Sequence, residues 1–239
     1  MSTPKGTPAF HEQEIRRIEN VYEHRDIDSE SRYSWLDFSN LYTVQERDRA
    51  VAGLWQKHGF MPSPGTRALD VGGGSGKGGR WLLELGVLAE NIHINDLMPQ
   101  RLKLASSTLP SAVKLHAGDA TTLELKDHSF DIVMQSVVFS SILDQRVQAA
   151  LASTMWRLLK PGGGILWYDF TIDNPSNKNV AGVGLEQVRR LFPDASVHSK
   201  KITLAPPISR AVCRIQPALY PVLNAVPWLR THRLCWITH

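Results

Sequence analysis

The stretch "ALDVGGGSGKGGRWL", residues 68–82, decides how this chain reads. Apolar residues around Asp70 lead into a run from Gly72 to Gly79 that only Ser75 and Lys77 interrupt, and an apolar pattern then resumes. Glycine packs almost nothing and loses the most backbone freedom on folding. A chain keeps such a run where its backbone must take positive φ angles, or where another group comes close with no Cβ in the way. The apolar lead-in reads as a strand and the tail as a helix, so the run is a strand-to-helix turn.

Beyond that turn the same rhythm repeats. The patterning predicts strands over 67–71, 92–95, 113–117, 130–135 and 164–169. Helices are predicted between and after them, over 77–86, 99–108, 145–159 and 184–192. Residues 196–205 and 233–238 read as two further strands closing the sheet edge, and Gly162, Gly163 and Gly164 after Pro161 as a turn. Such alternation implies an α/β fold: a doubly wound, mostly parallel sheet with right-handed crossovers and helices on both faces. Ligands of such sheets bind beyond the carboxyl ends of the strands, where strand order reverses, so the glycine turn is the candidate cradle.

Upstream, residues 11–25 place Ile15, Ile18 and Tyr22 at helical spacing. A second helix is predicted from a capping-box pair, Thr43 and Glu46, with Val44, Val51, Leu54 and Trp55 as its apolar face and Gly59 as its stop. "MPSPG" then reads as a linker. The expected organisation is a helical lid over 1–62 and a core over 63–239, with an apolar, basic insert at about 206–232.

At 239 residues the chain suits one α/β domain with an accessory segment. It contains no run approaching the ~20 apolar residues that span a bilayer. Its first residues lack the apolar stretch of a secretory leader, and Cys213 and Cys235 fit neither a disulfide framework nor a zinc site. The expectation is a cytoplasmic protein with two buried thiols and no metal. The net charge of +4 is unevenly spread: residues 195–239 carry Lys200, Lys201, Arg210, Arg214, Arg230 and Arg233 and no acid. This predicts either a surface for an anionic partner, a membrane face included, or an ordinary solvated basic face. Nucleic acid is disfavoured, because no basic stripe or aromatic platform accompanies the charge.

Three glycine-loop chemistries compete for residues 68–82. A P-loop needs glycine where Val71 stands and Ser or Thr where Gly78 stands, so it fails. A dinucleotide fingerprint is met by Gly74, Gly76 and Gly79, with Asp96 about twenty residues on. The third pattern, Asp-x-Gly-x-Gly-x-Gly, is met by Asp70, Gly72, Gly74 and Gly76. It resembles the first motif of the class I S-adenosylmethionine-dependent methyltransferases. "HINDLMPQRL", "AGDATTLELKDHSFDIVMQS" and "RLLKPGGGILWYDF" resemble later blocks of that family, in its order and spacing over residues ~66–205. Gly73 departs from the pattern, standing where many relatives carry Cys or another small residue.

The resemblance implies a Rossmann-like, seven-stranded sheet with an antiparallel edge strand, and S-adenosylmethionine as cofactor. It assigns Asp70, Gly72, Gly74 and Gly76 to the cradle. Asp96, with the apolar Leu97 after it, falls to the ribose hydroxyls, and Asp119 with Ala120 to adenine. Gln135 falls near the sulfonium. Each has a plainer reading as a turn, cap or strand-edge residue, and Asp131 is taken as structural.

Methyl transfer is chiefly a matter of in-line alignment, and a hydroxyl acceptor also needs a base. Asp169, at the end of the fifth strand, is the candidate base, with capping of the loop that follows as its alternative role; Tyr168 should face the other way. Tyr33, Trp35, Phe38 and Tyr42 either line the acceptor site or bind the N-terminal helices to the sheet. The flanking segments loosely resemble bacterial surface-glycan and glycolipid methyltransferases, which implies a sugar hydroxyl as acceptor and a peripheral position at the inner membrane face. The alternatives are a small aromatic or quinone-like acceptor, a non-catalytic cofactor-binding module, and a dehydrogenase.

Overall fold

In the computed structural model, residues 9–23 and 34–239 are described. Seven strands form one sheet: β1 (Ala68–Val71), β2 (Ile92–Asp96), β3 (Lys114–Ala117), β4 (Phe130–Ser136), β5 (Leu159–Phe170), β6 (Ser196–Leu204) and β7 (Arg230–Thr238). Their order is β3-β2-β1-β4-β5-β7-β6. The pairings among β1 to β5 are parallel, while β7 runs antiparallel to both β5 and β6. The reversed strand therefore lies one place in from the edge. Strand order turns back between β1 and β4, which puts the crevice for a ligand at the glycine turn. A dinucleotide-binding sheet continues from its fifth strand to a parallel sixth, and the reversed β7 in that place removes the dehydrogenase reading.

Eight helices accompany the sheet among the described residues: α1 (Ala9–Glu23), α2 (Phe38–Lys57), α3 (Lys77–Glu84), α4 (Pro99–Thr108), α5 (Gln145–Leu158), α6 (Leu185–Leu191), α7 (Pro206–Ile215) and α8 (Leu219–Asn224). One core layer packs Ile18 of α1, Leu151 and Met155 of α5 and Val188 of α6 on Leu69, Val133 and Trp167. The opposite layer packs Val51 and Trp55 of α2, Leu82 of α3 and Leu102 of α4 on Ile92, Ile132 and Trp236. A satellite cluster joins Leu204, Cys213 and Tyr220 under α7 and α8. Burying these faces on both sides of the sheet is what makes the parallel strands stable, since neither face tolerates water.

Several expectations need correction. The helix predicted from Thr43 begins at Phe38, because Asp37 caps it by accepting the Asn40 N–H at 3.1 Å. Glu46 makes no capping box: it reaches across to β6 and α8 instead. The two N-terminal helices also part company. α1 lies on the α5 side, whereas α2 belongs to the opposite core layer. Gly164 is a strand residue paired with Ile132; the irregularity falls earlier, between the Phe130–Leu159 and Ile132–Gly164 pairs, with Gly162 at φ 82°. Cys213 and Cys235 are both buried and unbridged. Tyr33, and the predicted end of the first helix at residues 24–25, fall outside the described residues.

Candidate functional site

The glycine turn joins β1 to α3 with Gly72, Gly74 and Gly76 at φ 66°, 57° and 82°, a region that costs an L side chain backbone strain. Their bare backbone is presented at the carboxyl end of β1. Gly78, in the first turn of α3, meets a different demand: a Cβ there would stand 2.2 Å from the Asp70 carboxylate. Asp70 is buried beneath the turn. Burial, then the neighbouring charge of Asp96, pushes its carboxyl up to about 7, against a smaller opposing pull from Arg47.

Asp96 ends β2 and holds the turn from the side. One carboxylate oxygen accepts the Gly74 N–H at 2.8 Å and the other the Met98 N–H at 2.9 Å, while Arg101 stands 3.8 Å away. Asn95 donates to the carbonyls of His116 and Gly118, so the segment after β3 is drawn to the same end of the sheet. That brings in Asp119, which accepts the Thr121 N–H at 2.9 Å and the Thr121 hydroxyl at 2.7 Å. Leu97 and Ala120 lie half-buried against the α1–α5 core beside these acids. Asp70, Asp96 and Asp119 thus lie at the carboxyl ends of the adjacent strands β1, β2 and β3, with Asp70 and Asp96 against the glycine turn.

At the end of β4, Gln135 is buried, and its side-chain oxygen accepts the Val138 N–H at 3.0 Å. Its amide nitrogen is buried with no partner among the described residues. A buried donor left unpaired is costly. Val137, next but one, takes φ 60°, an outlier for a β-branched residue, and donates its N–H to the Tyr168 carbonyl at 2.8 Å.

Asp169 is fully buried. One oxygen accepts the Ser140 N–H at 3.1 Å and the other the Phe170 N–H at 2.9 Å. It therefore fastens the turn after β4, residues 139–141, rather than the loop that follows β5. Burial pushes its carboxyl up to about 7 against the opposing pull of these hydrogen bonds. Tyr168 faces the other way, as strand alternation requires, and its hydroxyl pairs with Thr203 at 2.9 Å. Asp131 accepts the Arg67 N–H at 2.8 Å and pairs with Lys160, a structural role.

α1, expected as part of a helical lid over 1–62, meets the segments after β3 and β4 through partners that the sequence did not announce. His11 Nε2 lies 2.5 Å from Asp119, and Arg17 donates to the Ser141 carbonyl at 2.6 Å. Glu14 accepts the N–H groups of Leu143 and Asp144 at the start of α5. Burial works to raise the Glu14 carboxyl, but Arg17 and those two N–H groups hold it below its ordinary value. Tyr22 completes the row with a 3.1 Å bond to Ser141 and the Arg101 guanidinium over its ring. Only its amphipathic spacing marked α1; no local pattern announces contacts across more than a hundred positions. Of the proposed aromatic lining, Trp35 and Phe38 are exposed, while Tyr42 stacks on Tyr220 at 5.0 Å between ring centroids.

Residues 69–167 match the family described as "Methyltransferase domain". A ubiquinone/menaquinone biosynthesis C-methyltransferase from Marinomonas sp. is 32% identical over 59% of this chain and 57% of its own. The 2-methyl-6-phytyl-1,4-hydroquinone methyltransferase of Synechocystis sp. is 28% identical over 64% of this chain and 51% of its own. The chain spans about half the length of the curated relatives it matches. Among solved structures, phosphoethanolamine N-methyltransferase 2 of Haemonchus contortus, in complex with S-adenosyl-L-methionine, superposes with a TM-score of 0.55 at 22% identity. That match covers 80% of this chain and 51% of the other, and the likeness is one of fold.

Proposed function

We propose that the chain transfers the methyl group of S-adenosylmethionine to a small aromatic, quinone-like acceptor. The observation that carries the reading is a left-handed glycine turn at the point where strand order reverses, with Asp70, Asp96 and Asp119 at the carboxyl ends of β1, β2 and β3 beside it. The residues fit the cofactor by their chemistry. A sulfonium nucleoside brings two positive charges, ribose hydroxyls and an amino group, all of which ask for anionic or accepting partners. The glycine turn supplies backbone that a ligand can approach, and the Gln135 amide supplies an unspent donor beside it.

In this reading Asp96 orients the ribose hydroxyls and Asp119 the adenine amino group, with Leu97 and Ala120 forming the apolar walls. When bound, the cofactor supplies an electrophilic methyl group on sulfur. The chain's part is to align an acceptor in line with it and to exclude water. Asp169 acts as a positioning residue, because it is fully buried and one of its oxygens fixes the turn that follows β4. The quinone-ring acceptor is favoured over the sugar hydroxyl by the two relatives named above, both of which are methyltransferases of quinone or hydroquinone compounds.

Calorimetry with S-adenosylhomocysteine, followed by incubation of methyl-labelled cofactor with a short-chain hydroquinone or a glycan fraction, tests this. The expected result is saturable binding that weakens at least about tenfold in Asp96→Ala, with label in the hydroquinone. Label in the glycan alone would replace the acceptor, and no binding of the nucleoside would end the reading altogether.

A further inference from the structure

The surface of α7 and α8 departs from what water-facing helices present. α7 turns Ser209 and Cys213 inward, and α8 turns Tyr220 and Asn224 inward. From residue 206 to 229 the exposed positions are otherwise apolar, save Arg210, Arg214 and Gln216. Ile215 is 83% exposed, Val222 62% and Trp228 79%. Such residues on the outer face contribute nothing to the small core beneath, which Leu204, Cys213 and Tyr220 already fill.

A second segment extends the same surface. The start of α2 is held against α7 by the 2.5 Å contact between the Ser39 and Ser209 hydroxyls, and Tyr42 stacks on Tyr220. Just before it, Trp35 and Leu36 are 62% and 92% exposed, and Phe38 follows at 53%. Asp37, the acid among them, is turned onto the Asn40 N–H. Two stretches remote in sequence thus bring tryptophan, phenylalanine and aliphatic side chains to one side of the molecule. Contiguous exposed apolar surface of this kind marks an interaction site.

The charge decides the occupant. Arg210 and Arg214 stand exposed among these apolar residues, and no acid occurs from residue 195 to the last. A second copy meeting this patch about a two-fold axis would bring like charges together. An anionic lipid surface complements them, and its interfacial zone is where tryptophan and arginine with buried stems are best accommodated. Among the described residues no helix is long and apolar enough to cross a membrane, so the contact is one of lying on the surface. Its position is also apt. Leu204 and Arg230 pair at the same end of the sheet as Phe170, so the α7–α8 insert between β6 and β7 sits at the carboxyl end of β5, beside the crevice.

We propose that the outer face of α7 and α8, together with Trp35, Leu36 and Phe38, docks the protein on an anionic membrane surface. The docking does not depend on which acceptor the crevice takes. Its test is co-sedimentation of the full chain with phosphatidylcholine vesicles, with and without phosphatidylglycerol. Three proteins are compared: wild type, Ile215→Ser/Trp228→Ser, and Arg210→Gln/Arg214→Gln. Wild type should pellet with the anionic vesicles and be released by high salt. Each double variant should bind about tenfold more weakly while its affinity for S-adenosylhomocysteine stays unchanged. If the serine variant unfolds, the arginine variant decides alone. Failure of wild type to pellet with anionic vesicles overturns the proposal, as does equal pelleting of the arginine variant. A wild-type dimer in light scattering that the serine variant abolishes would assign the patch to a second copy and overturn it too.

Discussion

At the ends of β1, β2 and β3 most contacts that shape the crevice join residues no more than 23 positions apart, Asp96 to Gly74 and Met98, Asn95 to Gly118 and Asp119 to Thr121, with His11 on Asp119 as the exception. At the ends of β5, β6 and β7 they join residues far apart in the chain. Glu46 accepts from the Thr203 N–H, the Tyr220 hydroxyl and the Asn224 amide, and Ser39 meets Ser209. The first half relies on residue types that few others can replace, because only glycine takes those φ angles easily and a carboxylate offers two accepting oxygens on one short side chain. The second half relies on ordinary residues brought together by the fold. A ligand common to many proteins belongs where the constraint is local, and a particular acceptor or surface where it is not.

The comparison breaks most visibly at Glu46. Glu46→Ala leaves the Thr203 N–H, at a non-glycine residue with φ 68°, and the Tyr220 and Asn224 donors without their acceptor. We expect a loss of about 4 kcal/mol in unfolding free energy by urea titration, with affinity for S-adenosylhomocysteine retained by the folded fraction. A loss below about 1 kcal/mol would mean that the network is not what holds α2 to β6 and α8. The opposite half gives a smaller stability effect with a functional signature. In Gly78→Ala the new methyl group would press on the Asp70 carboxylate and the Met134 methyl group. The expected cost is about 2 kcal/mol, together with weakened cofactor binding by calorimetry. Undiminished binding would show that the position of Asp70 is immaterial to the cradle.

The same contrast explains what was legible in the sequence. The strand–glycine–helix rhythm and the turn at 72–76 could both be read, because each has a local cause in periodicity or backbone geometry. The start of α2 could not. Thr43 and Glu46 satisfy the capping spacing, but Asp37 supplied the cap and the partners of Glu46 lie more than 150 positions away. His11 on Asp119 and Glu14 on the start of α5 were equally hidden, since an amphipathic helix announces that it packs and not where. The strained Val137 left no trace either, because nothing local to a β-branched residue predicts a positive φ.

Asp169 lies where the two halves meet, and its titration separates the two roles open to it. Its carboxyl is raised from the ordinary 3.8 to about 7, chiefly by burial. A carboxyl shifted upward stabilises the fold fully only below its unfolded value, and that contribution is lost as pH rises through the folded value. Asp169→Asn removes the dependence, while Asp70, shifted in the same direction, remains in both proteins and cancels. The stability of wild type relative to the variant should therefore fall by about 1 kcal/mol between about pH 6 and pH 7, read from urea midpoints at each pH. As a positioning residue, Asp169 should leave the variant with reduced but measurable turnover, and with a kcat/KM profile of unchanged shape. A general base titrating near 7 would instead give wild type a profile that rises through that value and is lost in the variant. The complete burial of Asp169 favours the first outcome, since a general base must come within hydrogen-bond reach of the acceptor's proton.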